Sequence, residues 1–189
     1  MKTLAATVHE PQGPFVVEEV DLPELEADQI LVRVVAVGVC HTDLASREGL
    51  LGAPFPAIFG HEGAGIVERT GSLVKKVVPG DHVVLAPASD GTCPQCQSGA
   101  PMYCDQFNAL NFQTASSGPT ATVADGTKVR IGYFGQSSFS RHAIVTERNT
   151  VKVRRDVPLH LLGPLGCGIQ TGAGTVINGM CPHAGASIA

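Results

Sequence analysis

The stretch Gln29-Ile30-Leu31-Val32-Arg33-Val34-Val35-Ala36-Val37-Gly38-Val39 runs directly into Cys40-His41-Thr42-Asp43. Its β-branched residues, Ile30, Val32, Val34 and Val37 among them, predict a buried strand that ends at Gly38 and Cys40. Thr42 to Glu48 then predicts one short helix, capped by Thr42 and closed by Gly49. On the N-terminal side, Thr3 to Val8 and Phe15 to Val20 read as short strands separated by Pro11, Gly13 and Pro14. On the C-terminal side, Gly63 to Arg69 and Asp81 to Ala86 are further strands, the second entered through the turn Pro79-Gly80-Asp81. From Pro87 to about Gly118 the periodicity is lost, and a loop of that length carries function or is held by a ligand. Strand signals return at Lys128 to Ile131, Phe139 to Thr146 and Val151 to Val153. Short strands at irregular spacing predict a mainly β chain with short helices, built as a partly open β-barrel. After Pro158 the texture changes. Thr171 to Asn178 looks helical despite its two glycines, Gly179 to Gly185 reads as a loop, and Ala186 to Ala189 resembles the opening of a new strand.

The composition bounds the function. The chain has 189 residues, 43% hydrophobic and 16% charged, enough to bury a core. A net charge of −4, no basic run and no tryptophan argue against nucleic acid as a partner. The longest clean apolar stretch, Val34 to Cys40, falls far short of the roughly 20 residues a membrane span needs. Met1 to Glu10 lacks the apolar core of a signal peptide, so the expectation is a soluble, cytoplasmic chain. In that setting the cysteines at 40, 93, 96, 104, 167 and 181 point to metal binding or catalysis rather than disulfides.

Cys40 follows a strong strand, where a cysteine is most often a small buried hydrophobe. His61, in Gly60-His61-Glu62-Gly63-Ala64-Gly65, is by itself most often a structural histidine. Gly166-Cys167-Gly168 is unusual for a core cysteine, because the flanking glycines let backbone or ligand approach closely. Taken together, three runs resemble the zinc-dependent medium-chain alcohol dehydrogenases. They are Cys40-His41-Thr42-Asp43, the Gly60-His61-Glu62 run with Gly65 and Gly71, and Gly166-Cys167-Gly168-Ile169-Gln170-Thr171-Gly172-Ala173-Gly174. Phe134-Gly135-Gln136-Ser137-Ser138-Phe139 and Gly163-Pro164-Leu165-Gly166 are similar to the aryl-alcohol (benzyl-alcohol) branch.

The resemblance spans nearly the whole chain and implies a GroES-like catalytic domain over residues 1–157. A helical link over 158–189 would lead to the start of an absent Rossmann nucleotide-binding domain. It implies a catalytic zinc on Cys40, His61 and Cys167 with one position open, where the metal lowers the pKa of an alcohol. Hydride then passes to NAD. It further implies that Asp43 fixes the tautomer of His61, where the plainer reading is a helix N-terminal acid. Thr42 would pass the proton outward, where the plainer reading is a helix cap. Glu62 would be a carboxylate behind the ligands, otherwise a surface acid. His41 would approach the cofactor pyrophosphate. Ala45 stands where several relatives end the proton relay in a histidine, so the end of the relay is unassigned.

The lobe at 87–118 holds a second cluster. Cys93-Pro94-Gln95-Cys96 with Cys104 is dense thiol chemistry, and a lone Cys-x-x-Cys pair is also compatible with a redox motif. The family's structural zinc has four cysteines, and here Asp90 takes the first position ahead of Cys93, Cys96 and Cys104. A carboxylate keeps the charge of a thiolate and is an acceptable zinc ligand, so a filled but weaker structural site is expected. Cys181 matches no ligand position.

No Gly-x-Gly-x-x-Gly run follows a strand and opens a helix; Gly172-Ala173-Gly174 lies in the helical segment. The expectation is a fragment that binds zinc but does not turn over alcohol by itself, from an enzyme that is a homo-oligomer at full length. The expected substrates are primary aromatic or allylic alcohols and their aldehydes. The alternatives are a glutathione-linked formaldehyde dehydrogenase of the same family and a non-catalytic zinc-binding module.

Overall fold

A computed structural model of the chain describes residues 1–112 and 118–187. Ten strands dominate it. Five of them, β1 (Lys2–Val8), β2 (Val16–Asp21), β4 (Ala57–Ile58), β7 (Thr120–Val123) and β8 (Lys128–Arg130), form a closed barrel in the order β1-β2-β7-β8-β4. The barrel closes because β4 pairs with both β8 and β1, through Ala57↔Arg130 and Thr7↔Ile58. The other five form an open sheet in the order β10 (Thr150–Lys152), β6 (His82–Leu85), β5 (Glu62–Thr70), β3 (Gln29–Gly38) and β9 (His142–Thr146). Closure is thus complete in one sheet and absent in the other.

Strand β3 lies between β5 and β9, and its first half is covered on both faces, Leu31 by the barrel core and Ile30 and Val32 by the core of the open sheet, which is why it reads as a near-continuous apolar run. Ile30 and Val32 pack with Val67, Val77, Val83, Leu85, Ala143 and Val145 in the core of the open sheet. The barrel interior is filled by Ala5, Val20, Leu22, Leu31, Ile58, Ala121, Val123, Val129 and Ile131. The sequence predicts a strand from Phe139 to Thr146, but β9 begins only at His142, and Phe139 to Arg141 lie outside it. They bond to Leu4, Ala6 and Phe59 and so join barrel to sheet.

Two strands lie outside those predicted. β4 is too short to show a period, and β7 is a four-residue strand whose buried Ala121 and Val123 alternate with half-buried threonines. The helices are short: α1 (His41–Arg47), α2 (Pro94–Gln97), α3 (Phe107–Asn111) and α4 (Gly168–Gly174), the last running into a π-helical stretch, Thr175–Met180. The cap of α1 is Cys40 rather than Thr42, because Asp43 reaches back to accept the Cys40 N–H. Ala186 and Ser187 are exposed and form no strand, having no partner to pair with among the described residues. Ile188 and Ala189, where the strand expectation continues, lie outside the described residues. No helix among the described residues is long and apolar enough to cross a membrane.

Candidate metal centres

Three glycine-dependent close approaches gather the first site. Irregular pairing between β3 and β5 brings Gly38 opposite Glu62, where a Cβ would lie 2.0 Å from Glu62 Oε2. Gly60, at φ +89°, turns the chain into β5 and leaves His61 1% exposed. The 3-10 turn Gly163–Gly166 lies flat on the sheet, since Cβ atoms at Gly163 and Gly166 would meet Glu62 O at 2.3 Å and Leu85 O at 2.1 Å. That turn delivers Cys167 at the start of α4, while the end of β3 delivers Cys40 at the start of α1.

The donors meet as a result. Cys40 Sγ and Cys167 Sγ are 4.0 Å apart, and His61 Nε2 is 3.2 Å from Cys167 Sγ. Two sulfurs held tetrahedrally at about 2.3 Å from one zinc would stand about 3.8 Å apart, so the spacing fits that ion. A Glu62 carboxylate oxygen completes a group whose ligand atoms all lie within 4.8 Å of one another. Glu62 Oε1 also accepts from the Gly168 N–H at 3.4 Å.

Asp43 is 0% exposed and lies at the start of α1. Its Oδ2 accepts from the Cys40 N–H at 3.0 Å, and its Oδ1 accepts from the Gly60 N–H at 3.1 Å. The same Oδ1 lies 2.9 Å from His61 Nδ1, which assigns the proton to Nδ1 and leaves the Nε2 lone pair facing the sulfurs. Burial pushes the His61 pKa down, but the hydrogen bond and charge of Asp43 outweigh it and the net shift is upward. Burial also opposes the Cys40 thiolate, yet the Thr42 hydroxyl and N–H and the His61 ring bring its pKa below the ordinary thiol value. Burial, followed by Cys40 and Glu62, pushes the Cys167 thiol up to about 12. Two sulfurs and a carboxylate crowd negative charge together here, and a divalent cation among them would reverse that penalty.

Thr42 Oγ1 is 3.5 Å from Cys40 Sγ. His41 is exposed at the first position of α1, and Ala45 is half-buried one turn on. Residues to which the sequence reading gave no role surround His61. Phe134 stacks on its ring at 4.5 Å and 27°, and Tyr133 meets it edge-on at 5.9 Å. The Tyr133 hydroxyl is 2.6 Å from Ser46 Oγ on α1. Gln136 bonds the backbone on either side of Glu62. Phe134 and Gln136 stand in the Phe134-to-Phe139 run, which carries a resemblance and no assigned role, and Tyr133 stands just outside it.

The second cluster forms in the lobe. Cys93 caps α2 ahead of Pro94, Cys96 lies within α2, and Cys104 follows the 3-10 turn Pro101–Tyr103. Ligand atoms of Asp90, Cys93, Cys96 and Cys104 all lie within 4.8 Å of one another. Asp90 Oδ1 accepts from the N–H groups of Cys93 (2.9 Å) and Thr92 (2.7 Å), which hold its carboxyl well below the usual range. The Asp90 N–H donates to Cys104 Sγ at 3.3 Å. The Asp105 N–H lowers Cys93, whereas burial raises Cys104. Cys181 belongs to neither group: its thiol is exposed and turned back on the carbonyls of Ile177 and Asn178.

Residues 26–155 match the family described as the alcohol dehydrogenase GroES-like domain. A geraniol dehydrogenase of Castellaniella defragrans is 47% identical over 187 residues, covering 98% of this chain and 50% of that protein. The crystal structure of an alcohol dehydrogenase zinc-binding domain protein from Burkholderia ambifaria superposes with TM-score 0.94 at 45% identity, covering 99% of this chain and 51% of the other. Benzyl alcohol dehydrogenase from Acinetobacter calcoaceticus superposes with TM-score 0.86 at 44% identity, covering 94% and 48%. The chain spans about half the length of these relatives.

Proposed function

The chain belongs to the alcohol dehydrogenase GroES-like domain family, and from that membership we propose that it forms the catalytic domain of a zinc-dependent oxidoreductase. The reaction is oxidation of a primary aromatic or allylic alcohol to its aldehyde, with hydride transferred to NAD and a proton released. Residues 1–157 make up the domain and 158–189 the link leading out of it. The observation that supports this most is the meeting of Cys40, His61 and Cys167, from three remote segments, at separations suited to one ion. When bound there, zinc supplies the Lewis acidity that makes an alcohol hydroxyl acidic near neutral pH.

The chain's own residues do the rest. Asp43 keeps His61 in the tautomer whose Nε2 is free to coordinate. The Thr42 hydroxyl, beside Cys40 Sγ, takes the substrate's hydroxyl proton and passes it toward solvent. Ala45 offers no group to continue that path. Glu62 balances charge at the edge of the donor group, and the exposed His41 would serve to approach the cofactor pyrophosphate. Asp90, Cys93, Cys96 and Cys104 would hold a second zinc, which would pin the lobe. The free thiols of both clusters suit a reducing compartment, the cytoplasm.

Glu62 favours a second reading. As a fourth ligand it would close the coordination shell and make this a non-catalytic zinc module. Cobalt in place of zinc separates the two. A spectrum of the Cys40–His61–Cys167 site that shifts when benzyl alcohol or pyrazole is added supports the dehydrogenase. A spectrum indifferent to both supports the closed module. A panel of benzyl alcohol, geraniol and S-hydroxymethylglutathione with the full-length enzyme separates the branches. Preference for the glutathione adduct would overturn the aromatic or allylic assignment.

A further inference from the structure

Gln136 is 1% exposed, and both ends of its amide are engaged. Its Nε2 donates to His61 O at 2.9 Å, and its Oε1 accepts from the Gly63 N–H at 3.0 Å. The amide therefore spans the peptide groups on either side of Glu62 and leaves that carboxylate facing the sulfurs. The approach requires a glycine at 63, since a Cβ there would lie 2.9 Å from Gln136 Oε1 and 2.8 Å from Ser138 Cβ. The segment carrying Gln136 is costly to hold. Phe134 and Ser137, neither of them glycine, have φ of 50° and 53°, and Gly132 and Gly135 have φ of 88° and 70°.

Bonds other than those of Gln136 keep that segment in shape. The Tyr133 N–H donates to Ser137 Oγ (2.9 Å), the Ser137 hydroxyl to Ile58 O (2.6 Å), and Asn149 Nδ2 to Gly135 O (2.9 Å). The loop thus has ties of its own beside the Gln136 amide. The amide acts outward, on the backbone of the donor cluster, while Phe134 from the same loop lies flat on the His61 ring.

We infer that Gln136 is a positioning residue for the Cys40–His61–Cys167 centre, clamping the main chain on both sides of Glu62 so that His61 and Glu62 hold one fixed relation to the two sulfurs. The inference rests on the reading of that cluster as a metal centre. Groups of this kind behind a ligand change metal affinity by roughly 10- to 100-fold when removed.

The test uses the 189-residue chain, loaded with cobalt, with Gln136→Asn (too short to span both partners) and Gln136→Met (similar in length, with neither amide bond) measured in parallel. Far-ultraviolet circular dichroism reports whether each variant keeps the fold. The expected result is a variant with the wild-type dichroism, cobalt bound at this site about 10- to 100-fold more weakly, and shifted ligand-field bands. Wild-type affinity and bands in a folded variant would overturn the inference. Loss of the fold in both variants would make Gln136 a residue of the scaffold and would overturn it equally. A wild-type cobalt spectrum that does not change on Cys40→Ser would instead remove the metal centre itself.

Discussion

Asp43 shows how much one side chain contributes here, since its two oxygens take the N–H of Cys40, the N–H of Gly60 and the Nδ1 proton of His61. Asp43→Asn keeps the size but loses the charge that supports the imidazole and replaces one of the two accepting oxygens with a donor. We expect zinc affinity at the Cys40–His61–Cys167 site to fall about 10- to 100-fold, measured by competition with a chromophoric chelator. Gly63 is a second sensitive point. Gly63→Ala pushes a methyl against Ser138 Cβ and Gln136 Oε1, and overpacking of that kind costs about 1–3 kcal/mol, read as a lowered urea midpoint. At this scale the sequence was partly legible. Cys40, His61, Cys167 and Asp43 stand in recognisable runs. Gln136 and Phe134 do not announce a role, because what places them against His61 is a run of left-handed backbone and not a pattern of residue types. The cap of α1 differs from the expected one for a related reason: Thr42 is a good cap by type, but Cys40 is the cap and Asp43 makes the bond.

Among the elements, the lobe is the one for which the proposed second zinc matters most. Its short helices α2 and α3 are joined by turns, and Asp90 is tied to the cluster by the N–H groups it accepts. We expect two zinc ions per purified chain and one in Cys96→Ser, with the 87–112 segment becoming sensitive to protease in that variant. Two ions retained in Cys96→Ser, or one in the wild type, would count against the second site. Charge also ties the elements together. Asp81, 2% exposed at the entrance to β6, accepts from Lys152 Nζ at 2.8 Å, from the Val78 N–H at 3.0 Å and from Arg155 at 3.2 Å. The Lys152 bond, against burial and with help from the Val78 N–H and Arg155, lowers its pKa from 3.8. The folded value lies below the unfolded one, so this stabilisation is present above pH 3.8 and is lost as pH falls through the lower folded value. Asp81→Asn should cost about 1–3 kcal/mol at neutral pH, the penalty shrinking below pH 3.8 as unfolding midpoints of the two proteins converge. The long strands were readable from their β-branched content, and β5 and β6 from their turns. β4 and β7 were not, because strands of two and four residues are specified by the partners that close the barrel.

At the scale of the molecule, the closed barrel and the open sheet bring residues 40, 61 and 167 to one place, although His61 and Cys167 are 106 positions apart in sequence. No local pattern contains that proximity. Periodicity predicts the strands, and only the strand order and the flat Gly163–Gly166 turn decide that Cys167 reaches β5. The whole reading, donor set, tautomer and open position, therefore reduces to one claim about where an ion sits. Crystals of the zinc-loaded chain, with anomalous diffraction collected at the zinc edge, test it directly. The account predicts an anomalous peak about 2.0–2.3 Å from Cys40 Sγ, His61 Nε2 and Cys167 Sγ, with a non-protein oxygen as the fourth ligand. No peak among those three atoms, or one fully enclosed by them and Glu62, would contradict it.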